Sequence, residues 1–155
     1  KEGTIKVVAT DHCPFNLTGQ KDFGINNFTR IPNGAGGIEH RQALLYTYGV
    51  LQNKISLNQF VALTSTNPAK IFGLYPAKGE IAIGSDADIV IWDSDVMNII
   101  SAQSQHQHCD RNIYEGFYTK GNAKYVIKTG KLIIDKEDSC FEKAKGKFLK
   151  RLAIS

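Results

Sequence analysis

The sequence predicts an α/β segment followed by a mostly β segment, and three observations lead to this fold class. Residues 5–10 form a largely apolar run that ends at Asp11 and precedes a long loop, as in a parallel strand covered on both faces. Apolar residues at helical spacing follow over 38–73, and strand signals replace them after Pro76. The predicted segments are 1–75, 76–140 and a basic tail, 141–155, with the first boundary near 74–79.

The composition indicates a soluble globular protein and excludes several other classes. Of 155 residues, 42% are hydrophobic and 22% are charged, which is ordinary for a folded domain. Basic residues crowded into the tail account for the net charge of +4, so no broad surface for nucleic acid is expected. No apolar run approaches the ~20 residues that span a bilayer, so no membrane partner is expected. Three widely spaced cysteines favour a reducing, cytoplasmic compartment.

Asp11 is the first residue with a candidate chemical role. A carboxylate at the end of a buried strand, before a long loop, lies where barrel and open α/β enzymes place active-site groups. Position alone equally allows Asp11 to cap the next turn. The loop, residues 13–37, contains the turn signal Pro32-Asn33-Gly34, and its length favours a functional, packed loop. It lacks the spacing of a phosphate-binding loop.

Three helices are predicted after the loop. The first covers 38–52. The second begins at Ser56, which forms a capping box with Gln59. The third is short, with Asn67 as its N-cap and Gly73 after its end.

Strand signals dominate the second segment. The predicted hairpin turns at Thr129-Gly130, a pair of residues that suits a two-residue connection. The predicted strands cover 80–83, 89–92, 125–127 and 132–134.

Several groups resemble functional sites but have a simpler interpretation. His106 and His108 are spaced to bind one metal ion from a strand, yet a polar, loop-like segment surrounds them, so a surface loop is favoured. Asp86 and Asp88 lack the further oxygen ligands of a calcium loop, which favours turn and strand-start roles. Cys13 follows His12 directly, and adjacent side chains of an extended chain point in opposite directions.

The basic tail has two interpretations. It is either a solvated end, which the residues alone favour, or an arm that docks on a neighbouring subunit through Phe148 and Leu149.

Several stretches together resemble the dihydropyrimidinase/hydantoinase branch of the cyclic amidohydrolases. The resemblance covers essentially the whole chain, in order, and corresponds to the C-terminal third of such enzymes. The stretches that carry it are Thr10-Asp11-His12-Cys13-Pro14-Phe15-Asn16, Gly19-Gln20-Lys21, Phe28-Thr29-Arg30-Ile31-Pro32-Asn33-Gly34, Thr64-Ser65-Thr66-Asn67-Pro68-Ala69-Lys70-Ile71-Phe72-Gly73-Leu74, residues 78–93, Tyr114-Glu115-Gly116 and Gly146-Lys147-Phe148-Leu149-Lys150-Arg151.

The resemblance implies a TIM-like metal-dependent hydrolase barrel followed by part of a β-sandwich domain. Residues 5–10 would be the last barrel strand, 11–37 its active-site loop, 38–74 the closing helices and 76–140 the C-terminal part of the sandwich. The tail resembles the segment that reaches another subunit, which implies a homotetramer.

The resemblance also implies the chemistry: zinc-dependent hydrolysis of a cyclic amide or ureide, a dihydropyrimidine or a 5-substituted hydantoin, to an N-carbamoyl amino acid. At a dinuclear zinc centre, the residue matching Asp11 ligates one zinc and moves a proton to the leaving nitrogen. Asn33 matches the position whose backbone binds the ring amide. The other ligands of the family lie upstream of the matched region, so the chain alone is expected to be inactive.

Two alternatives remain within the same resemblance. The collapsin response mediator proteins are non-catalytic scaffolds that share the fold, but they lack the metal-binding Asp and have Glu in place of the turn Asn. Asp11 and Asn33 are therefore of the enzyme type. Allantoinase and dihydroorotase fit the Pro32-Asn33-Gly34 turn and the 64–74 stretch less well.

Overall fold

The computed structural model describes residues 3–136, 140–141 and 146–151. The helices come first in the chain, and a four-stranded antiparallel sheet follows them. None of the helices in these ranges is long and apolar enough to cross a membrane. In chain order the α-helices are α1 (Arg41–Leu45), α2 (Leu57–Val61) and α3 (Asn67–Ile71), and the strands are β1 (Ile89–Ile99), β2 (Tyr118–Lys128), β3 (Lys131–Asp135) and β4 (Cys140–Phe141).

The prediction of a strand over residues 5–10 is wrong for the described part of the chain, where this segment pairs with no strand. Its backbone contacts the helices instead. The Val8 N–H donates to the Leu63 carbonyl (3.4 Å), and the Asn67 side chain donates to the Lys6 carbonyl (2.9 Å). A strand requires a ladder of hydrogen bonds with a neighbour, and no described strand lies beside this segment.

The first predicted helix forms in part, and the second begins as predicted. α1 starts at Arg41 and continues through a π-helical turn, Tyr46–Val50. At the start of α2, the Gln59 N–H donates to Ser56 Oγ (3.1 Å), and the Ser56 N–H donates to Gln59 Oε1 (2.8 Å). This reciprocal pair is a complete capping box, so the start signal in the sequence is confirmed.

The second and third predicted helices form one continuous helical run. α2 passes into a π-helical turn, Ala62–Thr66, which leads directly into α3. The prediction of Asn67 as an N-cap is therefore wrong, since its φ of −66° and ψ of −44° are helical. The widened π turn ends at Thr66, so Pro68 lies in the first turn of α3, where a residue that lacks an N–H is tolerated. Gly73 ends the run as predicted, with φ +67°.

The sheet is a meander in the order β1-β2-β3-β4, and most strand predictions are confirmed. The strands predicted at 89–92, 125–127 and 132–134 lie within β1, β2 and β3. Thr129 and Gly130 connect β2 to β3 with φ values of +50° and +78°, the left-handed geometry of a two-residue hairpin turn. Local turn chemistry was therefore sufficient to predict this hairpin.

The strand predicted at residues 80–83 does not form. Lys78 explains the local path, because its ammonium pairs with Asp86 (2.9 Å) and Asp88 and closes the intervening residues into a loop. Burial raises the pKa of Asp88, but hydrogen bonds from Lys78 and from the Thr129 N–H more than offset this effect, so the net pKa is lowered. The two aspartates therefore have the turn and strand-start roles favoured over a calcium site.

An aromatic cluster joins the helices to the sheet. The ring centroid of Tyr46 lies 6.0 Å from that of Phe60 and 5.5 Å from that of Trp92. Gly121 of β2 packs against this cluster with φ +88°. A Cβ atom there would lie 2.6 Å from Trp92 Nε1 and 2.8 Å from Tyr46 Cδ1, so the packing requires glycine.

We expect Gly121→Ala to destabilise the fold more than Gly84→Ala. The two glycines have similar φ values, +88° and +94°, so alanine is strained at either position. Only Gly121 has aromatic atoms where the new Cβ would lie, whereas no atom lies within 4 Å at Gly84. Overpacking of this kind costs ~1–3 kcal/mol. Thermal unfolding of both variants measures the difference, and equal midpoints would contradict the packing argument.

Candidate functional site

The chain after Asp11 folds back on itself through a close backbone contact. His12 and Ala35 form a parallel bridge, and the Cys13 N–H donates to the Ala35 carbonyl (3.1 Å). A Cβ atom at Gly34, where φ is +129°, would lie 2.5 Å from the Cys13 carbonyl oxygen. The two segments can approach this closely only because residue 34 is glycine.

This contact brings the two predicted site residues onto neighbouring segments. Asp11 directly precedes the bridged His12, and Asn33 lies two residues before the bridged Ala35. Both Asp11 and Asn33 are exposed. A carboxylate and an exposed turn are therefore adjacent, although they are distant from each other in the sequence.

The backbone of Asp11 is in a rarely populated conformation, with φ +45°. Asp and Asn adopt this left-handed region more readily than other non-glycine residues, and strained residues of this kind cluster at functional sites. No side-chain hydrogen bond of Asp11 is formed within the part of the chain that the structure describes. The turn-cap interpretation therefore lacks a capping bond, and the carboxylate is free to act.

His12 holds the backbone that follows the bridged residue Ala35. Its Nδ1 accepts hydrogen bonds from the backbone N–H groups of Gly37 (3.1 Å) and Ile38 (3.3 Å). A ring nitrogen that accepts is unprotonated, so Nε2 carries the proton of the neutral ring. The His12 side chain thus holds the start of the helical region against the loop. The neighbouring Cys13 is exposed and takes no part in these hydrogen bonds.

Lys21 holds the turn that contains Asn33. Its ammonium donates to the carbonyls of Pro32 (2.5 Å) and Gly34 (2.7 Å) and lies 5.2 Å from the ring centroid of Phe15. Sequence reasoning assigned no role to Lys21, because a lysine within a polar loop carries no local signal of its partners. Only the fold shows that it reaches the turn.

The loop between β1 and β2 docks on the same region through Asp110. Its carboxylate accepts from the backbone N–H groups of Leu17 (2.6 Å) and Thr18 (3.0 Å), and these bonds lower its pKa. The Asp110 N–H donates in return to Asn16 Oδ1 (3.2 Å). More than ninety positions separate these partners in the sequence, so their contact had no sequence signal.

A second anchor of this loop lies at Glu39 and His40. The Glu39 carboxylate contacts the His106 backbone N–H (2.9 Å) and ring Nδ1 (2.7 Å). His40 Nε2 lies 2.7 Å from Nδ2 of the buried Asn112, so the imidazole accepts while the amide donates. Burial lowers the pKa of His40 by disfavouring the charged ring, and this effect exceeds the opposing attraction of Glu39.

The predicted metal lookalike is a surface loop. His106 and His108 are exposed, and neither lies within a strand. Among the described residues, no group of three or more His, Cys, Asp and Glu side chains is arranged to hold a metal ion. The described residues therefore do not by themselves complete a metal site around Asp11.

A cavity of about 270 Å³ lies behind the turn. Its walls include Phe15, Lys21 and Gly34 from the loop, together with Gln107 and Arg111 from the β1–β2 connection. Two larger cavities, of about 640 Å³ and 500 Å³, are lined elsewhere, and neither Asp11 nor Asn33 lines any of the three. The cavity of about 270 Å³ adjoins the candidate site only through Gly34 and Ala35.

Comparison with known proteins identifies relatives along nearly the whole chain. The sequence profile of the amidohydrolase family matches residues 1–133. A D-hydantoinase from Ralstonia pickettii is 46% identical over 151 residues, covering 97% of this chain and 33% of the relative. A dihydropyrimidinase from Rattus norvegicus is 44% identical over 149 residues, covering 96% of this chain and 28% of the relative.

A solved structure agrees with these sequence relatives. The D-hydantoinase from a Bacillus sp. AR9 superposes with a TM-score of 0.91 at 44% sequence identity, covering 97% of this chain and 33% of that structure. This chain therefore spans about a third or less of the length of the proteins it matches.

We expect acidification to weaken the docking of the β1–β2 loop through His40. Because the folded pKa of His40 is lowered, the unfolded state takes up its proton first as the pH falls below about 6.5. Stability should therefore decrease between about pH 7.5 and about pH 5.5. Burial raises the pKa of Glu39, but its hydrogen bonds to His106 more than offset this, so the net pKa is lowered. Glu39 therefore affects stability only at more acidic pH, below its ordinary pKa of about 4.3.

His40→Gln provides the control, since its amide can still accept from Asn112 but cannot titrate. Thermal unfolding at the two pH values should show a smaller decrease in the variant than in the parent protein. The same decrease in both would assign the pH dependence to other groups.

Proposed function

Because the chain belongs to the amidohydrolase family, we propose that it forms the C-terminal third of an enzyme that hydrolyses the ring amide of dihydropyrimidines or 5-substituted hydantoins. The products are N-carbamoyl amino acids. Identity of 44–46% to a dihydropyrimidinase and a D-hydantoinase along nearly the whole chain supports this substrate class. A homotetramer of such chains is part of the proposal, with the tail as the arm between subunits.

The observation that carries the proposal is the contact that places Asp11 beside the turn at Asn33. Opening a cyclic amide requires a group that transfers a proton to the leaving nitrogen and donors that hold the ring. An exposed carboxylate can do the first, and the exposed backbone of the turn can do the second. Gly34 has no side chain, so it leaves that backbone accessible.

Asp11 has two proposed roles. It would hold one of two zinc ions, and it would carry a proton from the attacking water to the ring nitrogen as the C–N bond breaks. The proton taken from water thus ends on the terminal nitrogen of the carbamoyl group of the product. When bound, the metal ions supply Lewis-acid polarisation of the amide carbonyl and lower the pKa of water.

The fit of this chain to a metal centre is partial. Asp11 offers an exposed carboxylate with no competing hydrogen bond among the described residues, a suitable oxygen ligand. Membership of the family implies metal dependence in general. Since the described residues contain no group of three ligands, the remaining ligands come from outside this part of the chain.

The proposed domain division follows the same relationship. Residues 1–75 complete a TIM-like barrel, 76–140 contribute to a β-sandwich, and 141–155 form the tail. The order of helices before an antiparallel sheet supports this division. Phe148, in the described part of the tail, is 93% exposed, which suits an arm that packs on another subunit.

We expect Asp11→Asn to lower kcat of the complete enzyme by orders of magnitude while the fold is retained. Asparagine tolerates the left-handed backbone at φ +45°, so the variant removes the carboxylate charge without adding backbone strain. The measurement is hydrolysis of dihydrouracil and of a 5-substituted hydantoin, with circular dichroism as the control for folding. Near-normal turnover would remove Asp11 from the mechanism.

We also expect the 155-residue chain alone to bind no stoichiometric pair of zinc ions and to hydrolyse neither substrate. It contains one of the proposed ligands, and a single carboxylate does not bind a metal tightly. Elemental analysis after zinc loading and desalting, with the complete enzyme as the positive control, tests this expectation. Two zinc ions per chain together with hydantoin hydrolysis would refute it.

A further inference from the structure

The Lys21 ammonium binds two backbone carbonyls, one on either side of a single residue. It donates to Pro32 O at 2.5 Å and to Gly34 O at 2.7 Å, with Asn33 between them. None of the ion pairs in the described part of the chain involves Lys21. The charge is therefore directed at the turn itself.

The position of Lys21 is fixed by its own surroundings. It begins a 3-10 helix, Lys21–Gly24, and its backbone N–H donates to the Asn16 carbonyl (3.1 Å). Asp110 holds the neighbouring backbone N–H groups of Leu17 and Thr18. The lysine is thus a short link between the docked β1–β2 loop and the turn.

Peptide geometry determines what this link does to the turn. In a trans peptide the C=O and the following N–H point in opposite directions. Holding the Pro32 carbonyl on Lys21 therefore turns the Asn33 N–H to the opposite side, and holding the Gly34 carbonyl does the same for the Ala35 N–H. The Asn33 carbonyl is the one in this turn that Lys21 does not bind.

We propose that Lys21 is a positioning residue that orients the Asn33 backbone toward the ring amide of the substrate. The inference rests on the proposed function, because it assigns the Asn33 backbone to substrate binding. Lys21 does not contact the reacting atoms. It keeps the donor and acceptor of the turn at a fixed angle, so that binding the ring does not require the turn to be ordered first.

The test uses the complete enzyme and the variants Lys21→Met, Lys21→Arg and Lys54→Met. Methionine keeps an unbranched chain but removes the charge and the donors. Arginine keeps donors in a different geometry. Lys54 is an exposed lysine whose ammonium makes no hydrogen bond or ion pair in the described ranges, so it controls for loss of a positive charge.

For Lys21→Met we expect KM for dihydrouracil to rise at least about tenfold, because two charge-assisted hydrogen bonds to the turn are lost. The zinc content of Lys21→Met should equal that of the parent enzyme. The KM of Lys21→Arg should lie between that of the parent enzyme and that of Lys21→Met. Lys54→Met should stay within about twofold of the parent. Amide hydrogen exchange at Cys13, whose N–H donates to the Ala35 carbonyl at the end of this turn, should be faster in Lys21→Met than in Lys54→Met.

Two results for Lys21→Met would overturn the inference alone. The first is a parental KM together with parental amide hydrogen exchange. The second is a parental KM with a lowered unfolding midpoint, which would show a merely structural role. If Lys21→Met does not fold, parental KM in Lys21→Gln overturns it. A parent enzyme that hydrolyses neither dihydrouracil nor 5-substituted hydantoins overturns the proposed function instead, and the assignment of substrate binding to the turn falls with it.

Discussion

The close backbone approach between Cys13 and Gly34 is the constraint on which the candidate site depends. The approach excludes any side chain at residue 34 and forms the one parallel bridge in the described part of the chain. It places Asp11 beside the turn at Asn33, and the other contacts of the loop act on that arrangement. His12 secures it toward the helices, and Lys21 secures the turn itself.

Features whose cause is local were predictable from the sequence. The capping box at Ser56, the helix end at Gly73 and the hairpin at Thr129 each depend on residues within a few positions of one another. The candidate site was predictable in part, since Asp11 stands out at the end of an apolar run. Its suggested role, and that of Asn33, came from resemblance to a family rather than from a local pattern.

Features whose cause is distant were not predictable. Residues 5–10 and 80–83 have strand composition, but strands form only beside a partner, and the described chain offers them none. Asn67 has the residue type of an N-cap, yet the π-helical turn before it continues the helix. Lys21 and Asp110 act on backbone groups that the fold brings to them, and no spacing rule encodes such contacts.

The hydrophobic packing of the described chain is sparse. The buried apolar side chains of the described residues are few, namely Tyr46, Phe60, Ala69 and Ile100. Large apolar side chains such as Ile5, Ile81 and Ile83 are exposed by 70% or more. A domain that is complete in itself rarely leaves so much apolar surface uncovered, which agrees with the proposal that this chain is one part of a longer enzyme.

The hydrogen bonds from Leu17 and Thr18 to the Asp110 carboxylate also limit which parts of the chain can be exchanged between relatives. A boundary near residues 74–79 would suggest that the sheet of one relative could be exchanged for that of another. These hydrogen bonds cross that boundary. A chimera joined there would therefore take the loop at residues 16–18 from one parent and Asp110 from the other. Recombinants should retain the loop around residues 16–18 and the β1–β2 connection from the same parent.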